Sequence, residues 1–268
     1  MAADTSWTFD PGPVILIAAA CAVYIPRWRR VRRADGPRAA GGWRLASFVG
    51  AMLALVAALL SPIDRLGEQA FTMHMVQHVL LLDIAPILFV CSLTKVIMRP
   101  ATRRVQRLER AAGPFAHPLF AVVLYVAVMW AWHVPVVYDA ALEHSTVHVL
   151  EHVCFMTAGL LYWWHLLSPL RSRVRQGVMA PVAYMLSTKL AVGFLGIAIT
   201  FAPAALYAFY KDQPPIWGLD ASTDQSAAGA VMALEQSIIM GIALAWLFIR
   251  ALEESEREEQ RAERFGAV

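Results

Sequence analysis

Residues 71–93 read FTMHMVQHVLLLDIAPILFVCSL, from Phe71 to Leu93. The stretch exceeds the roughly 20 mainly apolar residues a helix needs to cross a bilayer. It nevertheless carries His74, His78 and Asp83. No water solvates a polar side chain inside a bilayer, so ionisable groups there are costly and point to function. His74 and His78 are four apart, which puts them on one helix face, one turn above the other. A second stretch, His144–Ser168, has the same habit: His144, His148 and His152 repeat every four residues, with Glu151 beside them.

Composition agrees with a membrane setting. Of 268 residues, 59% are hydrophobic and 16% charged, against about a quarter charged in a soluble domain. Mean hydropathy is +0.53. Cys21, Cys91 and Cys154 lie in apolar stretches without a CxxC pair, so neither a disulfide framework nor a thiolate metal site is indicated. The N-terminus carries Asp4 and Asp10 rather than a basic region, and a cleavable leader is not expected. Neither GxxxxGK[ST] nor GxGxxG occurs, and no nucleotide or nucleic-acid partner is expected; the expected surroundings are membrane lipid.

Seven apolar stretches mark candidate spans: 13–26, 43–60, 71–93, 118–134, 142–167, 178–201 and 225–249. Three intervening loops, 26–44, 94–117 and 168–177, hold sixteen Lys and Arg residues, whereas the alternate loops hold only Arg65 and Lys211. The positive-inside rule then places the N-terminus outside and the C-terminus in the cytoplasm. The sequence thus predicts an all-α integral membrane protein, a bundle of seven transmembrane helices over residues 1–252, with a charged cytoplasmic tail over 253–268.

In this orientation His74, His78, His133, His144, His148 and His152 gather toward the outer leaflet, while His117 and His165 lie near the inner surface. A lone histidine on an apolar helix is ordinarily a hydrogen-bonded core residue. Two stripes at matched depth offer a second reading, because neutral imidazole binds copper, iron and zinc. Met75 offers a thioether, which favours copper(I), but it points about 100° away from His74, which favours packing. Asp83, Glu151, Lys189 and Glu235 all come near mid-membrane. An unpaired charge there is expensive, so Lys189 is expected to pair with one of the acids. Nine residues from His74, Asp83 is about half a turn off its face, although Pro86 distorts the geometry. Glu151 lies close to the His144 stripe and is suited to orient a ligating imidazole; a structural ion network is the alternative. Lys189, Gly193, Gly196 and Thr200 share a stripe that reads as helix packing. Trp163 and Trp164 read as an interfacial belt.

Several pieces together resemble the seven-span CtaG family of bacterial cytochrome c oxidase assembly factors, linked to caa-type oxidases. They are His74-Met75-Val76-Gln77-His78 with Pro86 following; Trp130, His133, Pro135 and Tyr138; His148, Glu151, His152, Gly159 and Trp163-Trp164; Pro203, Leu206-Tyr207 and Tyr210; and Asp224-Gln225, Ala228-Gly229 and Met232. The resemblance covers about residues 40 to 250. Three positions depart from it: Leu234-Glu235-Gln236 replaces an expected proline–glycine step, Asp83 an apolar residue, and His165 a proline. The resemblance implies a bacterial plasma-membrane protein that helps mature the oxidase, its subunits the partners and copper the cofactor, without enzymatic turnover. The residues alone also admit a haem-binding membrane cytochrome or a transporter. A di-metal hydroxylase would need adjacent histidine pairs, which are absent, and no inverted repeat supports transport.

Overall fold

The computed structural model describes residues 3–170 and 179–266. Among these residues there is no strand, only an isolated bridge between Ile216 and Leu219. The helices are α1 (Pro11–Asp35), α2 (Gly42–Leu59), α3 (Pro62–Gly67), α4 (Phe71–Val79), α5 (Ala85–Ser92), α6 (Lys95–Ala112), α7 (Pro118–Trp132), α8 (Pro135–Glu143), α9 (Ser145–Leu167), α10 (Ala180–Thr200), α11 (Ala208–Lys211) and α12 (Ala221–Gly266).

Five membrane-span candidates stand out by length and apolarity: α1, α2, the run Phe71–Ser92, α10 and the first part of α12. A sixth arises if Lys95–Ala116 and Pro118–Trp132, bent by 67°, count as one broken span. The expected seven therefore become five or six by this measure. α7 has only 15 residues. α9 has 23 residues, but His148, Glu151 and His152 dilute its apolar character. Large apolar side chains face outward on the candidate spans, including Leu190 and Phe194 on α10 and Ile242 on α12. Water would oppose such a surface, whereas lipid accepts it. The first span is longer than the expected 13–26, because Pro26 is accommodated inside α1. The basic stretch 94–117 is mostly the helix α6 rather than irregular loop. α12 runs through position 252 into the charged tail without a break. The basic residues Arg171, Arg173 and Arg175, and the expected start of the sixth span at 178, lie outside the described residues.

The run Phe71–Ser92 is the hub. α4 packs on α2, α3 and α12, and α5 on α2 and α9. Between them Leu80–Ile84 forms a π turn, in which the Ala85 N–H bonds the Leu80 carbonyl. Pro86 explains it. Its ring has no N–H and would collide with the Leu82 carbonyl in a regular α-helix, and one extra residue in the turn relieves the collision. At the Leu82 carbonyl α9 comes very close: a Cβ at Gly159 would lie 2.0 Å from Leu82 O. α10 and α12 meet through a second small-residue contact, where a Cβ at Gly229 would lie 2.5 Å from Thr200 N. Gly196 joins this contact, but Gly193 faces open space, so the expected packing stripe is shorter by one position.

Basic and aromatic side chains close the helix ends. Arg44 donates to the carbonyls of Cys91 and Leu93, and Tyr24 to that of Ser92 at 2.9 Å. These satisfy the C-terminal carbonyls that α5 leaves without partners. At the other end, Asp224 of α12 accepts from Phe71 N at 2.6 Å and Thr72 N at 3.2 Å. A side chain 152 positions away in the chain thus caps α4.

Candidate metal centre

α4 presents His74 and His78 toward α9, which presents His148, Glu151 and His152 in return. One donor atom from each of His74, His78, Glu151 and His152 can be chosen so that all four lie within 4.8 Å of one another. His74 Nε2 is 3.6 Å from one Glu151 oxygen, and His78 Nε2 is 3.5 Å from the other. The His148 ring lies tilted beside that of His152, centroids 4.2 Å apart, and 5.4 Å from that of His74. Glu151 and His74 are fully buried.

The polar atoms of this group are unsatisfied. His74 Nε2, both nitrogens of His78, the Nε2 atoms of His148 and His152, and both Glu151 oxygens are buried without a hydrogen-bond partner. Each such atom costs on the order of 1–3 kcal/mol, and more where it is charged. Most buried polar groups in native proteins have partners, so this concentration calls for an explanation. A cation coordinated by three imidazoles and a carboxylate satisfies several of these atoms at once and neutralises the carboxylate. The residues fit such an ion, in a donor set common to zinc, copper and iron sites.

Around the group lies an aromatic shell. Tyr210 donates to the Gly67 carbonyl at 2.6 Å, and its oxygen is 3.5 Å from His74 Nδ1. Tyr138 packs 5.1 Å from the His74 ring, between Tyr207 and Phe71. His133 Nδ1 lies 2.6 Å from the Met129 carbonyl, which requires the proton on Nδ1. Nε2 of the same ring is 3.4 Å from Met75 Sδ. Met75, for which the sequence favours packing over a thioether ligand, therefore sits beside an imidazole.

The remaining expected residues divide. Glu151 stands among the imidazoles rather than behind them. His144 is exposed at the start of α9 and does not join the group. His133 is buried, its ring 6.1 Å from His78. His117 accepts from Leu119 N at 3.1 Å and caps α7. Asp83 accepts from Tyr125 Oη at 2.8 Å and from Trp163 Nε1 at 2.7 Å. Trp163 is thereby a core residue, not part of an interfacial belt. The expected pairing of Lys189 is only indirect: its charge acts on Glu235, but no direct contact joins the two. Its Nζ donates to the Gln236 main-chain carbonyl at 2.7 Å, and no ion pair joins it to Asp83, Glu151 or Glu235 among the described residues. The reason is competition: Asp83 already has two neutral donors and Glu151 faces the histidines. A carbonyl accepts the ammonium without burying a second charge.

A cavity of about 640 Å³ adjoins the group. Its lining includes Asp10, Asp64 and Glu68 from the N-terminal segment and the α2–α4 connection, and His148 and His152 from α9. Asp64 accepts from Gln77 Nε2 at 2.8 Å and Thr8 Oγ1 at 3.2 Å. Burial nevertheless raises its pKa above the ordinary carboxylate value.

Residues 22–254 match the family described as cytochrome c oxidase caa3 assembly factor. A curated relative from Mycobacterium leprae (strain TN), named Uncharacterized protein ML1998, is 24% identical over 252 residues, covering 85% of this chain. The match spans only 36% of that relative's length. No solved structure matches.

Proposed function

From the premise that the chain belongs to the cytochrome c oxidase caa3 assembly factor family, we propose that it helps form the oxidase copper centre. In this reading it holds copper in transit at His74, His78, Glu151 and His152. One observation carries the reading: four donors within 4.8 Å of one another, on two helices, with their buried polar atoms unpartnered. Copper is cargo here and no substrate bond is broken, so the protein is not an enzyme. Its partner is the oxidase subunit that receives the ion. The cavity supports entry from that side: Glu68 is paired with Arg65 at 3.4 Å, but Asp10 and Asp64 leave the lining net acidic, and carboxylates attract cations toward the histidines. Deleting the gene should leave an oxidase that retains haem but lacks copper, read by metal analysis and absorption spectra of the purified enzyme. Normal copper content in the deletion strain would refute the proposal. The purified protein should show no Soret band, which sets it apart from a membrane cytochrome.

The same reading takes α7 and α9 as spans. With the five apolar candidates they make seven helices in the bacterial plasma membrane, the N-terminus outside and the C-terminus in the cytoplasm. Support comes from the sixteen basic residues that fall in three alternate loops. Reporter fusions after Ala141 and after Arg173 should report opposite sides, outer and cytoplasmic respectively. Both reporting from one side would overturn the topology and, with it, access from outside.

A further inference from the structure

Beyond His78, away from Glu151, lies a small cavity of about 20 Å³. One water-sized species needs about 10–15 Å³, so the cavity has room for one. Its lining is chemically unusual for mid-membrane. Met75 of α4, Met129 of α7 and Met232 of α12 converge on it from three helices, together with His78, Asp83 and Glu235. All three methionines are buried. Glu235 is only 7% exposed and Gln236, which also lines the cavity, 2%. Glu235 Oε1 and Gln236 Oε1 have no hydrogen-bond partner, whereas Glu235 Oε2 accepts from Gln236 Nε2 at 2.5 Å. No ion pair meets Asp83 or Glu235 among the described residues, because Lys189 donates to a carbonyl instead. The cavity thus joins carboxylates that make no direct ion pair, although the Lys189 charge acts on Glu235, to a set of polarisable thioethers.

We infer that this cavity is a second metal position, taking one copper(I) ion on the thioethers of Met75, Met129 and Met232 and the Glu235 carboxylate. Thioethers favour copper(I) over hard cations, which would prefer an all-oxygen shell. The ion would also neutralise a carboxylate that is costly to ionise in hydrocarbon. His78 lies between the two positions. Its Nε2 faces Glu151 at 3.5 Å, while its Nδ1 is a further buried nitrogen without a partner. An ion leaving the outer group therefore meets an imidazole that also borders the inner cavity. The inference rests on the copper reading above and adds a second stage to it.

The test is anaerobic titration of the purified detergent-solubilised protein with copper(I), combined with X-ray absorption at the copper edge. The parent should bind two equivalents, with sulfur in the copper shell. The double variant Met129→Leu/Met232→Leu, close to volume-conserving, should bind one and lose most of the sulfur scattering. The His152→Ala variant should lose the other equivalent and keep the sulfur. A parent that binds one equivalent, abolished by His152→Ala and without sulfur in its shell, overturns the second position and leaves the first intact. A water-filled cavity gives this result. A double variant that still binds two equivalents with unchanged sulfur also overturns it. A parent that binds no copper defeats both readings together. The sulfur signal is read on the parent itself, so a folding defect in the variant does not decide the outcome.

Discussion

Gly159→Ala should lower the melting temperature of the detergent-solubilised protein by several degrees and reduce its accumulation in the membrane. The added Cβ would lie 2.0 Å from Leu82 O, 2.8 Å from Leu82 C and 3.1 Å from Leu82 Cα. These are backbone atoms, so no side-chain rotation relieves the clash, and α9 must move away from the π turn. Overpacking ordinarily costs about 1–3 kcal/mol, and a contact this short with backbone belongs at or above the upper end. For a chain of this size each kcal/mol is about 2–4 °C. The displaced helix also carries Glu151 and His152, so metal binding should weaken in whatever protein still folds. Gly193→Ala is the control. Its Cβ would meet nothing within 4 Å, and alanine is about 1 kcal/mol more favourable than glycine in a helix interior. That variant should melt at or above the parent temperature. Equal melting of Gly159→Ala and the parent would mean that α9 does not approach Leu82 as described.

The contrast between these glycines shows where the sequence is informative. Periodicity within one helix is local, and so the pairing of His74 with His78, and of His148 with His152, can be read directly from four-residue spacing. Apolar runs and the basic loops likewise mark helices without reference to anything distant. What spacing cannot show is how two helices are rotated toward each other. Glu151 illustrates this: its place among the imidazoles depends on the approach of α9 to α4, which Gly159 and the π turn jointly allow. Pro86 announces a distortion, but not that the relief falls at Leu80–Ile84. Lys189 is a related case. Counting depth places it level with Asp83 and Glu235, yet depth says nothing about azimuth: its ammonium donates to the Gln236 carbonyl and acts on Glu235 only through space. Asp224 is 152 positions from the residue it caps, and no local pattern connects them. The Asp224-Gln225 pair carries part of the family resemblance, and its tertiary role supplies a physical reason: Asp224 caps α4, while Gln225 accepts from Leu206 N at 2.6 Å.

His78→Ala and His152→Ala should each yield an oxidase that contains haem but lacks copper and activity, when the variant replaces the parent in a host without its own copy. Both rings belong to the four-donor group, and alanine removes the donor without adding bulk. His117→Ala and His165→Ala should support normal oxidase, because His117 caps α7 and His165 lies beside α6, remote from the group. The expected loss is large. Removing one of four ligands typically lowers metal affinity more than the 10–100-fold reported for residues that merely orient a ligand. Stability should fall less than in an ordinary core truncation. His78 contributes two buried nitrogens without partners, so its removal relieves unsatisfied polar atoms, partly offsetting the lost packing against Phe155, whose ring lies 4.2 Å away. The apo variant should therefore accumulate in the membrane near the parent level, measured by quantitative immunoblot. Accumulation without copper delivery separates a ligand from a structural histidine. If both variants accumulate and the oxidase is still fully copper-loaded and active, these histidines only pack the core and the copper proposal fails.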